Sequence, residues 1–111
     1  MSRPRVELLY WDGCPSHPRA LADLRAALAE TGLDPEAIEV REVPDQQAAE
    51  REGFTGSPTI RIDGRDVVDP GDEPVMLACR VYRRRDGRIA PVPDPADLRD
   101  ALASAIREGA A

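Results

Sequence analysis

The hydrophobic period of the chain switches abruptly near its start, and that switch limits what the chain can fold into. Arg5-Val6-Glu7-Leu8-Leu9-Tyr10 is a short apolar run that stops at Trp11-Asp12-Gly13, a turn signal. From Leu21 onward Leu24, Ala27 and Leu28 recur at helical spacing, with Arg19, Asp23, Arg25 and Glu30 on the other faces, until Gly32 supplies a stop. A buried strand therefore feeds, through a loop, an amphipathic helix of about four turns.

The same alternation continues. Ala37 to Val43 alternates apolar and charged residues, the period of a half-exposed strand, and Pro44 ends it. Asp45 is placed to cap a polar helix from Gln46 to Glu52, and the loop Gly53-Phe54-Thr55-Gly56-Ser57-Pro58 runs into a third strand, Thr59-Ile60-Arg61-Ile62. Asp63-Gly64 closes that strand, and Arg65 to Pro74 reads as a short edge segment plus a loop. Leu77 to Arg83 alternates again, Asp86-Gly87 is a hairpin signal, Arg88 to Val92 returns as a strand, and Asp94-Pro95 opens a last helix through Ile106. The order predicts a single domain over residues 1–111, a mixed sheet with helices packed on it.

Composition narrows the function classes. With 111 residues there is room for one core, and 41% apolar with 32% charged residues are globular values. A net charge of −6 argues against nucleic acid or an anionic membrane as partner. The short apolar run after Met1-Ser2-Arg3-Pro4-Arg5 is far below a signal-peptide core or a membrane span, so the expected compartment is the cytoplasm. Every cation apart from His17 is arginine, which removes lysine Schiff-base chemistry. Two cysteines are too few for a disulfide framework of the secreted kind, so their roles are reactive, metal-binding or buried.

Chemistry concentrates at Cys14-Pro15-Ser16-His17, between the first strand and its helix. Unpaired N–H groups and the dipole at a helix start favour a thiolate, and a thiolate is the nucleophile. Pro15 suits a first helical position, while Pro18 offers a later onset. His17, one turn after Cys14, is placed to hydrogen-bond the sulfur or form an ion pair with it, or else to be a solvent-exposed helix-start residue. Asp12 beside Cys14 would oppose ionisation.

With Gly56-Ser57-Pro58-Thr59 leading into the third strand, the arrangement resembles the thioredoxin superfamily, in which a cis-proline segment lies against the active-site thiol. The resemblance covers nearly the whole chain. More narrowly, Gly56 to Ile60 through Asp63-Gly64, then Ala78-Cys79-Arg80-Val81-Tyr82 and Asp86-Gly87, looks like a group of small bacterial thioredoxin-like proteins, some labelled alkylmercury lyase. It implies a thioredoxin-like fold with a central mixed sheet of four to five strands flanked by helices. It also implies Cys14, His17 and Pro58 as catalytic residues, and Trp11, Ser57 and Thr59 as substrate-binding residues. Position 17 is histidine where dithiol thioredoxins carry the resolving cysteine, and Gly13 rather than Trp adjoins Cys14.

Three roles stay open for Cys79. Its alternation with Leu77 and Val81 suits a core position; it is also a possible resolving thiol for Cys14, or a soft-metal ligand beside Cys14 and His17. Asp63, Asp66, Asp69 and Asp72 fit no cation loop, so no metal or other cofactor is expected of them. Arg83, Arg84, Arg85 and Arg88 cluster at a hairpin tip, where they are solvated or dock an anionic thiol.

These features together predict a cytoplasmic thiol-redox protein, monomeric or a weak homodimer. Cys14 alone would form mixed disulfides with a protein or low-molecular-weight thiol. The alternatives are a non-catalytic binding module of the same fold and a soft-metal or organomercurial-binding protein using Cys14, Cys79 and His17.

Overall fold

The computed structural model describes residues 3–110. Its elements are β1 (Val6–Tyr10), α1 (His17–Glu30), β2 (Glu39–Glu42), α2 (Gln46–Glu52), β3 (Thr59–Ile62), β4 (Arg65–Asp66), β5 (Tyr82–Arg83), β6 (Ile89–Ala90) and α3 (Pro95–Ala110). Four strands form a mixed sheet in the order β2-β1-β3-β4. β1 runs parallel to β2, as a helical crossover through α1 requires, and antiparallel to β3. β3 in turn pairs antiparallel with β4. Among the described residues no helix is long and apolar enough to cross a membrane.

Alternation along β1 builds two cores, one on each face of the sheet. Val6 and Leu8 join Ile60 and Ile62 of β3 beneath Ala20, Leu24, Ala27 and Leu28 of α1 and Leu98, Leu102 and Ala105 of α3. Leu9, pointing the other way, packs with Val43, Phe54 and the α2 alanines Ala48 and Ala49, and Trp11, Val75 and Leu77 lie against that cluster. Glu7 shares the Leu9 side and is buried, its charge met by Arg41 at 2.6 Å. Arg41 also reaches Glu52 of α2 at 2.7 Å, so an ionic strap crosses this face beside the apolar contacts.

Local signals set the helix ends. The carboxylate of Asp45 accepts the Ala48 N–H at 2.8 Å and starts α2, and Gly53 ends it in the left-handed conformation. α1 begins at His17, with Pro18 in its first turn and Pro15 outside the helix, so the later proline marks the onset. Asp94 opens α3 by accepting the Ala96 N–H at 2.9 Å.

The C-terminal hairpin departs from the sequence expectation. The strands expected over Leu77–Arg83 and Arg88–Val92 shrink to β5 and β6, which pair only with each other in a separate two-stranded sheet. Arg85 holds this hairpin to α3 instead, through Asp97 at 2.8 Å and Asp100 at 2.7 Å. The face assignment is reversed as well. Tyr82 is buried and Arg80 half-buried, whereas Cys79 and Val81 are exposed, so Cys79 is not the core residue its alternation suggests. Period two separates the faces of such a segment without saying which one is covered.

Phe54 is the largest fully buried side chain of the second core. Phe54→Ala is expected to cost about 3–5 kcal/mol in urea denaturation. Val40→Ala, on the edge strand and 44% exposed, should stay within about 0.5 kcal/mol.

Candidate functional site

β1 delivers the site. Past its last residue the chain turns tightly, the Cys14 N–H donating to the Trp11 carbonyl at 3.0 Å. The Trp11 indole folds back over this turn: a Cβ at Gly13 would collide with the ring, so any larger residue there must displace the indole. The Trp11 N–H donates to Ser57 Oγ at 3.0 Å, joining the turn to the loop ahead of β3. The result is a fully buried Cys14 whose Sγ lies 3.4 Å from the Ser57 carbonyl, to which the protonated thiol donates.

The loop bearing Ser57 is held from behind. The Ser57–Pro58 peptide bond is cis. The Pro58 carbonyl accepts the Tyr82 hydroxyl at 2.5 Å, and the Thr59 hydroxyl donates to the Gly56 carbonyl at 2.7 Å. Burial pushes the Tyr82 phenol well above its ordinary value, so it serves as a donor throughout the physiological range. Segment 78–80 runs alongside: the Ser57 N–H donates to the Ala78 carbonyl and the Arg80 N–H donates to the Ser57 carbonyl, both at 2.8 Å. Cys79 is thereby bridged, in parallel register, to Ser57.

Gly56 and Arg80 make this approach possible. Gly56 has φ +142°, and a Cβ there would lie 2.9 Å from Arg80 Cβ and 3.2 Å from its Cα. The guanidinium of Arg80 is tucked inward, donating to the Val68 carbonyl at 2.6 Å, pairing with Asp66 at 3.4 Å and lying 4.7 Å from the Tyr82 ring centre. It also donates to Thr59 Oγ1 at 3.3 Å.

The electrostatics of Cys14 are a contest. Burial pushes its thiol pKa up, but hydrogen bonds from the Cys79 thiol, from the backbone N–H and hydroxyl of Ser16 and from the Ser57 hydroxyl outweigh burial. The net effect is a pKa below that of an ordinary thiol. Cys79 moves the opposite way: its hydrogen bond to Cys14, burial and the charge of Cys14 all keep it protonated. The shifts pair the two sulfurs, one favouring the thiolate and one the thiol. Both are free.

The candidate residues named from the sequence divide among different tasks. Cys14, Ser57, Pro58 and Cys79 come together. Ser57 and Thr59 are buried, and their hydroxyls are engaged in holding the loop; Trp11, half-buried, is the one of the three expected substrate-binding residues with surface to offer. His17 stacks on Tyr10, ring centres 4.1 Å apart and planes at 19°, with Nδ1 buried and without a hydrogen-bond partner. Neither His17 nor the exposed Asp12 figures among the groups that move the Cys14 thiol. Among the described residues no three His, Cys, Asp or Glu side chains gather as a metal site, so His17 does not complete a ligand set with the two cysteines. The roles of Arg80 and Gly56 escape a reading of the sequence, since an inward-turned arginine carries no apolar signature.

No protein-family model, curated protein or solved structure matches the chain.

Gly56→Ala is expected to lose more than about 1 kcal/mol of stability, because the new methyl meets backbone as well as side chain. Gly71→Ala, also at positive φ but with nothing within 4 Å, should lose less. Equal denaturation midpoints for the two variants would show that the approach of Arg80 to Gly56 is not what makes glycine necessary.

Proposed function

We propose that this protein is a thiol-redox protein of thioredoxin-like fold, in which the Cys14 thiolate attacks a disulfide sulfur and releases the thiol of a protein or low-molecular-weight partner. One observation carries the reading: Cys14 lies at the Ser57 carbonyl in the loop before β3, where hydrogen bonds from Cys79, Ser16 and the Ser57 hydroxyl lower its thiol pKa despite burial. In the exchange the Cys14 sulfur forms one S–S bond while another breaks. The departing sulfur leaves with the electron pair and takes up the proton that Cys14 gave up on ionising. The order of β1, α1, β2, α2 and β3 and the sheet order β2-β1-β3-β4 support the fold assignment, since they put the strand-end thiol and the loop before β3 side by side. A reducing compartment such as the cytoplasm suits such a thiol.

The complete burial of Cys14 favours a second reading, a binding module of the same fold without turnover. Thiolate ultraviolet absorbance, taken as wild type minus Cys14→Ser across a pH titration, separates the two. Redox chemistry predicts a midpoint below about 8.5, with the thiolate lost as pH falls through it. A midpoint above that value selects the module.

A further inference from the structure

We propose that Cys79 is the partner-facing thiol of a redox pair, and that Cys14 is the internal thiolate that displaces whatever Cys79 has captured. The inference rests on the thiol-exchange reading and deepens it, supplying the second sulfur that His17 does not provide. Three placements carry it. The Ala78 carbonyl and the Arg80 N–H bind Ser57 on either side of Cys79, while Cys14 Sγ lies at the carbonyl of that same Ser57, so both cysteines hang on one residue. Cys14 is fully covered and Cys79 is exposed. Cys79 also stands in the wall of an open groove of about 420 Å³, with Thr55, Met76, Val81 and Arg83 among its neighbours, and Cys14 has no part in that wall.

Exposure decides which sulfur meets a partner, because exchange requires the attacking sulfur to reach the bond in line. A partner disulfide R–S–S–R′ entering the groove is attacked by the Cys79 sulfur once its proton has passed to the Cys14 thiolate. The S–S bond between R and R′ breaks, R′ departs as thiolate and takes that proton from Cys14, and a Cys79–S–S–R mixed disulfide remains. Cys14 thiolate then attacks the Cys79 sulfur, forming the Cys14–Cys79 bond as R leaves and takes up the proton that Cys14 gave up on first ionising. The dithiol is oxidised to one internal disulfide, and one partner disulfide is reduced to two thiols. In reverse an external thiolate attacks the exposed Cys79 sulfur and expels Cys14, the better leaving group because its thiolate is the stabilised one.

The probe is dithiobis-nitrobenzoate, an aromatic disulfide that releases one coloured thiolate at each exchange, with mass mapping of the product. Wild type should release two equivalents and end without adduct, carrying a Cys14–Cys79 disulfide. Cys14→Ala should release one and keep its adduct on Cys79, since no internal thiolate remains to displace it. Cys79→Ser should slow the first release by at least about tenfold, since the remaining sulfur is covered. A Cys79→Ser protein that reacts on Cys14 at the wild-type rate overturns the inference and leaves single-cysteine exchange standing. Wild type that stops at a Cys79 adduct with no internal disulfide overturns both, and it does so without any variant having to fold.

Discussion

Every polar group of Ser57 is committed, and the site depends on that. Its N–H donates to the Ala78 carbonyl, its carbonyl accepts from the Arg80 N–H and the Cys14 thiol, and its hydroxyl accepts from the Trp11 N–H. One fully buried residue thus ties three stretches of chain that are far apart in sequence. Each bond satisfies a group that would otherwise be buried unpaired, which makes the arrangement costly to open. The Cys14 sulfur inherits its position from a neighbouring backbone rather than from its own helix.

Behind Ser57 stands a second set of contacts, between the edge of the main sheet and the C-terminal hairpin. Arg80 links Asp66 of β4 and the Val68 carbonyl to Thr59, and Tyr82 of β5 reaches the Pro58 carbonyl. A half-buried guanidinium needs such partners, since burying a charge without them is strongly unfavourable. The segment bearing Cys79 is therefore placed by polar contacts on the residues around it, and its small β5–β6 sheet shares no ladder with the main one. A single backbone bridge at Ser57, with the side chains of Arg80 and Tyr82, does here what longer strand pairing does elsewhere in the fold.

The parts of the fold that are legible in the sequence are those governed by local rules. Asp45 as a cap, Gly53 as a stop, the apolar stripe of α1 and the strands β1 and β3 each depend on neighbours within a few residues. The C-terminal segment is misleading because its covered side is lined by Arg80 and Tyr82, whose long polar side chains pack through hydrogen bonds and ring contacts that alternation does not register. The motif Cys14-Pro15-Ser16-His17 marks the sulfur at the end of β1 but not its neighbours. One helical turn of separation makes His17 the natural partner, yet its ring goes to Tyr10, while Ser16 and Cys79 take the place beside the thiol. A partner brought in by tertiary structure leaves no spacing in the chain to find.

The indole folded over Gly13 has a consequence for how this molecule can be watched. The chain contains one tryptophan, and its ring lies on the turn whose next residue is Cys14. Tryptophan fluorescence of the whole protein is therefore a local signal, emitted from the turn that carries Cys14. Whatever displaces that turn, whether a partner in the groove or a new bond at Cys14, changes the surroundings of the single tryptophan, so the protein carries its own optical probe at the site.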